Sequence, residues 1–194
     1  MDLLNEAIKF AVDAHAGMVR KGTHTPFIVH PMEVASITAA MTEDVEVIAA
    51  AVLHDVAEDT KYTVEDIRER FGDRVADLVS EESENKHEDR PAKETWKERK
   101  QETIDHMAKL SREAKIICLS DKLANLRSID RDLDHIGPVL WERFNQKDPA
   151  MHYWYYSELY AALEEFSEEG AYKDFKTKLD ELWVHMHRKT TERC

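Results

Sequence analysis

The stretch Ala50-Ala51-Val52-Leu53-His54-Asp55-Val56-Ala57-Glu58-Asp59-Thr60 decides how this chain reads. Its first half is small and apolar, the pattern of a helix buried on all sides. Its second half delivers one imidazole and three carboxylates in quick succession. Buried ionisable groups are costly unless they are paired or bind a metal, so four of them here ask for a cation. Asp44 supplies a helix cap, and the pattern predicts a helix over 45–57. On a helix, positions i and i+4 share a face. That pairs His54 with Glu58 and Asp55 with Asp59. His54 and Asp55 themselves point about 100° apart, so one ion needs further ligands from elsewhere.

On either side of this stretch the pattern is almost wholly helical. Leu4, Ile8, Ala11, Val12 and His15 recur at helical spacing over 2–16, and Gly17 offers a stop. A loop over 18–29 holds Arg20, Lys21, Gly22 and Pro26. His30-Pro31 opens the next helix, since proline suits a first turn. Thr63-Val64-Glu65-Asp66 reads as a capping box for a helix to about Arg70, and Gly72 separates it from a helix over 73–83. Residues 84–93 read as a polar loop. Helices follow over 94–109 and 112–129, then a turn region from Asp130 to Pro138, an aromatic helical stretch over 139–166, and a last helix near 172–188. No convincing alternating strand occurs. The expectation is an all-α chain: one domain over 1–194, built as a helical bundle.

Composition narrows the function. The chain has 194 residues, 42% of them hydrophobic, enough for one domain with a real core. Forty acidic residues face 27 basic ones, for a net charge of −13. Such a chain repels nucleic-acid backbones, so no nucleic-acid partner is expected. A small phosphorylated substrate stays possible if a local basic cluster or a metal meets it. No apolar run approaches the roughly 18 residues of a membrane span, and the N-terminus carries no secretory pattern. Two cysteines, Cys118 in an apolar run and Cys194 at the last position, fit a reducing cytoplasm rather than a disulfide framework. The oligomeric state is left open.

Two more residues match the polar setting of His54-Asp55. His30 follows the apolar turn Pro26-Phe27-Ile28-Val29, and Asp121 sits in Ile116-Ile117-Cys118-Leu119-Ser120-Asp121-Lys122-Leu123. Two histidines and two aspartates make a mixed nitrogen and oxygen set. That set suits Mn²⁺, Fe²⁺ or Zn²⁺, and its carboxylates leave room for Mn²⁺.

Several strings occur in a telling order: Phe10-Ala11-Val12-Asp13-Ala14-His15-Ala16-Gly17-Met18-Val19-Arg20-Lys21, Pro26-Phe27-Ile28-Val29-His30-Pro31, Leu53 to Thr60, Phe71-Gly72, and Asp121-Lys122-Leu123-Ala124-Asn125-Leu126-Arg127. Together they resemble the HD-domain superfamily, and within it the hydrolase domain of the RelA/SpoT homologues. The matches cover 1–130, leaving 131–194 as a helical C-terminal extension. With no room for a synthetase domain, the chain is similar to the stand-alone small alarmone hydrolases, the class that includes the metazoan MESH-type enzymes.

The resemblance implies a set of roles. His30, His54, Asp55 and Asp121 would hold one Mn²⁺. Glu58 and Asp59 would be the catalytic acidic pair. Arg20 and Lys21 would flank the nucleotide, and Asn125 would contact its sugar or base. The implied substrate is (p)ppGpp, losing its 3′-diphosphate as pyrophosphate to leave GDP or GTP. Lys122 and Arg127 are further candidates to offset phosphate charge. Trp96 to Lys100, Lys147 and the aromatic run Tyr153-Trp154-Tyr155-Tyr156 either close over the nucleotide or, for the aromatics, simply fill a core. Another HD-type phosphohydrolase, acting on a nucleoside monophosphate, NADPH or another metabolite, would use the same metal and acids. A silent nucleotide-binding domain would lack a ligand or an acid, and no expected position is missing here.

Overall fold

The computed structural model describes residues 2–82 and 90–187. Among them every regular element is helical, and the one β feature is an isolated bridge between Val19 and Pro26. No helix among the described residues is long and apolar enough to cross a membrane. The chain divides into two compact units, residues 1–85 with 109–124, and residues 86–108 with 125–194.

The first unit holds α1 (Leu3–Ala14), α2 (Val29–Ala39), α3 (Val45–Leu53), the single turn α4 (Val56–Asp59), α5 (Val64–Phe71) and α6 (Asp73–Glu82). Helix α7 (Ala92–His106) belongs to the second unit, and α8 (Arg112–Ile136) passes from the first to the second after Ala124. Helix α3 is the axis of the first unit and packs against α1, α2 and α6. Asp44 starts it by accepting the Glu46 N–H at 3.0 Å, and Arg74 of α6 holds Asp44 and Glu46 at 2.7 and 2.6 Å. Val47 and the run Ala49 to Leu53 are fully buried. The three alanines have only methyls to place, so neighbouring helices approach closely.

The flanking helices are fixed by the devices their sequences announce. Thr63 and Asp66 form the reciprocal capping box, with bonds of 2.7 and 3.2 Å. Gly72, at φ 91°, turns the chain between α5 and α6, a conformation that side chains with a Cβ resist. Thr38 of α2 donates to Ser120 of α8 at 3.0 Å, and Ser120 donates to the Ile116 carbonyl at 2.8 Å, all out of solvent. This buried pair ties together the helices that carry His30 and Asp121.

Three boundaries differ from the sequence reading. The helix expected over 45–57 breaks after Leu53 and resumes at Val56. The helix expected to end at 129 continues to Ile136, because nothing before Gly137 (φ 64°) stops it. The stretch 139–166 is three pieces: a 3₁₀ turn over Gly137–Arg143, α9 (Pro149–Ala162), and a 3₁₀ turn over Glu164–Phe166. Pro149 forces Asp148 out of helix, and Asp148 then caps α9 on the Ala150 N–H at 2.9 Å. The polar loop expected over 84–93 lies mostly outside the described residues, as does Cys194. The described part reaches Pro91, where α7 begins its first turn.

The second unit is aromatic. Helix α9 packs against α7 and against α10 (Gly170–His187). His152 is buried among Trp96, Trp141 and Phe144, at ring distances of 5.0 to 5.3 Å. Its Nε2–H donates to the Gln146 carbonyl at 2.8 Å. Tyr160 stacks on Tyr172 at 4.3 Å, and the Tyr172 hydroxyl donates to the Tyr160 carbonyl. Tyr155 and Tyr156 are buried, so the aromatic run of α9 serves largely as core.

Candidate metal centre

Four side chains from three places in the first unit converge. His30 lies in the first turn of α2, His54 and Asp55 fill the break between α3 and α4, and Asp121 projects from α8. His30 Nε2 stands 3.0 Å from Asp121 Oδ1 and 3.5 Å from Asp55 Oδ2. His54 Nε2 stands 3.2 Å from Asp55 Oδ2 and 3.8 Å from Asp121 Oδ1. One donor atom each from His30, His54 and Asp121 falls within 4.8 Å of the others. These three residues are buried, while Asp55 keeps a partly exposed side.

The sequence raised the question of how two neighbouring residues serve one centre. On an unbroken helix the neighbours His54 and Asp55 would diverge by about 100°. Here His54 keeps helical backbone angles (φ −55°, ψ −39°) and Asp55 (φ −88°, ψ −6°) leads into the next turn; Asp55 Oδ2 comes to 3.2 Å from His54 Nε2, while the compact donor group is His30, His54 and Asp121. The His54 ring is held from behind, its Nδ1–H donating to the Ala51 carbonyl at 2.8 Å. That bond turns Nε2 toward the two carboxylates and fixes which nitrogen faces the centre. His54 Nε2 is buried and makes no hydrogen bond of normal geometry with any described residue. Nitrogen and oxygen donors aimed at one place, one of them unsatisfied, fit a divalent cation.

The electrostatics agree. Burial would push the His54 imidazole down, but Asp55 and Asp121 outweigh it and hold it well above its ordinary value. Asp121 is depressed well below the usual carboxylate range despite its burial, with Lys122 the leading opposing influence. Asp55 is lowered against its own burial chiefly by His54. The imidazole is raised and the carboxylates are lowered because each stabilises the charged form of the other, and a divalent cation between them would take the place of the imidazole proton.

The other expected residues are placed less uniformly. Glu58 and Asp59 occupy α4, the turn directly after Asp55, with Glu58 half-buried and Asp59 exposed. Arg20 lies in a clip closed by Arg20 N–H to Thr25 O at 2.8 Å and Phe27 N–H to Met18 O at 2.9 Å. Its guanidinium sits 5.6 Å from the centre of the Phe27 ring, which meets the His30 ring at 6.1 Å. Lys21 and His24 are exposed. Asn125 follows Asp121 by four residues on α8 but belongs to the second unit. Lys122 bonds Asp121 at 2.5 Å, Arg127 pairs with Asp174 at 2.9 Å, and Lys147 pairs with Glu142. Lys97 and Lys100 lie over the rings of Trp154 and Tyr155.

Two residues near the centre escaped the sequence reading. His15 is buried beside Phe27 at 4.7 Å, and neither ring nitrogen finds a hydrogen-bond partner among the described residues. Burial lowers its imidazole, against the pull of Asp55 and Asp59. Burial pushes the Glu82 carboxyl up to about 8 even though Lys122 opposes it. The helical spacing of His15 with Leu4, Ile8 and Ala11 marks it as buried but not as part of a site, and Glu82 ends a charged helix with no local pattern to mark it. A second acid and histidine group, Asp130, Asp134 and His185, lies in the second unit. Lys178 already sits 2.7 Å from Asp130, which makes it an ion-pair network.

The chain belongs to the HD domain family, whose model matches residues 7–142. That family and the clustered donors imply a divalent metal at this centre. Among its relatives is the guanosine-3′,5′-bis(diphosphate) 3′-pyrophosphohydrolase MESH1 of Danio rerio, 38% identical over 132 residues, covering 66% of this chain and 70% of that one. The bifunctional (p)ppGpp synthase/hydrolase SpoT of Escherichia coli is 39% identical over 127 residues, covering 65% of this chain and 18% of the longer protein. A solved structure, described as a metazoan ortholog of SpoT that hydrolyzes ppGpp and plays a role in starvation responses, matches with a TM-score of 0.72. It is 30% identical, and the match covers 96% of this chain and 97% of that one.

Proposed function

We propose that this chain is a Mn²⁺-dependent (p)ppGpp 3′-pyrophosphohydrolase. The observation that carries the reading is the convergence of His30, His54, Asp55 and Asp121 in a chain that matches MESH1 relatives over most of its length. In this reading the whole of 1–194 acts as one HD-type domain, with 131–194 as its C-terminal extension. The family match supports this, since it runs across both compact units. The partner is a small nucleotide and not a nucleic acid, in keeping with the net charge of −13. The setting is the cytoplasm, in keeping with the sparing use of cysteine.

The reaction is hydrolysis of the bond between the ribose 3′-oxygen and the diphosphate. Water supplies a hydroxyl to the phosphorus, its proton leaves to a base, and the ribose 3′-oxygen released from phosphorus takes up a proton to become a hydroxyl. The products are pyrophosphate and GDP or GTP. His30, His54, Asp55 and Asp121 would hold the ion, which would supply Lewis acidity and lower the pKa of water. Glu58 or Asp59, one turn past Asp55, receives the water proton as general base. Arg20, propped on Phe27 next to His30, and Lys21 offset the charge of the diphosphate. Asn125 contacts the sugar or base.

The test is hydrolysis of ppGpp by the purified chain with added Mn²⁺ and with a chelator, products being separated by ion exchange. Release of GDP and pyrophosphate only with metal supports the reading. Bound metal without turnover would move the activity to another phosphorylated substrate.

A further inference from the structure

The two oxygens of Asp121 have different partners. Oδ1 faces His30 Nε2 at 3.0 Å and His54 Nε2 at 3.8 Å. Oδ2 receives the ammonium of Lys122 at 2.5 Å. Consecutive residues on a helix point about 100° apart, so the helix does not impose this contact. The Lys122 stem must curl back, and its side chain is only 19% exposed where a lysine usually reaches for water. Glu82 and Cys118 share this pocket, Lys122 being the charge that Glu82 feels most.

We infer that Lys122 is a positioning residue of the metal centre, holding Oδ2 of Asp121 so that Oδ1 alone is presented beside His30 and His54. The inference rests on the metal reading given above. A carboxylate turns easily about its last torsion, whose preference is broad. Left to itself, Asp121 would exchange its oxygens or offer both. The ammonium locks one orientation, as outer groups commonly do for ligating side chains. It also accounts for Lys122 in a way its charge cannot. A cation beside a dication repels it, so charge alone predicts that removing Lys122 tightens metal binding. Positioning predicts the reverse, and the two are separable by sign.

The experiment is calorimetric titration of the metal-free full chain with Mn²⁺, comparing wild type, K122M, K122R and D121A. K122M is expected to weaken Mn²⁺ binding by about 10- to 100-fold, while K122R, which keeps a charged donor, stays close to wild type. If K122M also lowers the melting temperature of the metal-free chain, K122Q is titrated in its place. Mn²⁺ affinity in K122M equal to or tighter than wild type would overturn the inference. So would unchanged Mn²⁺ affinity with a raised KM for ppGpp, which would make Lys122 a phosphate contact. Failure of wild type itself to bind Mn²⁺ would bring down the metal reading and this inference with it. Equal binding by wild type and K122M would remove this inference alone.

Discussion

Asp121 meets two imidazoles with one oxygen, so its removal should be felt at once. D121A is expected to abolish Mn²⁺ binding, by titration, because it removes the one oxygen that faces both imidazoles and leaves Asp55 as the sole carboxylate beside His30 and His54. E58A should keep Mn²⁺ affinity and lose turnover by about 10²- to 10⁴-fold, the usual range for a general base; a near-normal rate would remove Glu58 from that role. His152 offers a prediction about pH. Burial lowers its imidazole below the ordinary value of about 6.5, so below that pH the unfolded chain binds a proton that the folded chain refuses. The contribution of His152 to stability should therefore fall as pH drops below roughly 6.5. Urea unfolding across that window should show the stability of wild type falling relative to H152F as pH drops; His15, also lowered by burial, acts in the same sense in both chains, while His54 and Glu82, both raised, act in the opposite one. The four clustered donors were legible in the sequence because each is a polar residue in an apolar run. The burial of His15 was legible from its helical spacing, but its place beside the centre, like that of Glu82, was not, because those surroundings are made by residues distant in sequence.

At the level of elements, the decisive event is where α3 stops. Its apolar run and its Asp44 cap were readable from the sequence, but the break after Leu53 was not. Nothing at His54-Asp55 is a helix breaker, and the interruption accompanies the convergence of their side chains with His30 and Asp121. The same limit applies to α8, where a charged stretch suggested a turn and the helix simply ran on to Gly137. Caps were read more reliably, since they are local chemistry. D44A should cost about 1 kcal/mol of stability, measured by urea unfolding, from loss of the bond to Glu46 N–H. Part of the effect would come from Arg74, which loses one of its two carboxylates.

At the scale of the molecule, an all-helical chain was legible from periodicity and the lack of alternating strands. The division into two units was not, because no glycine- or proline-rich linker marks it and α8 runs unbroken from one to the other. Saturation with Mn²⁺ should raise the melting temperature, by about 2.7 kcal/mol of stability at a hundredfold excess over Kd, and a chelator should reverse it. An unchanged melting curve would argue that no ion binds the folded chain preferentially. The proposed ligands also carry a consequence for biosynthesis. They stand at positions 30, 54, 55 and 121, and chains emerge from the ribosome N-terminus first. Three of the donors are exposed to the cell well before the fourth is translated. A nascent or stalled chain ending short of Asp121 holds an open, half-built chelator, so secure retention of the ion becomes a mark of translation past that residue.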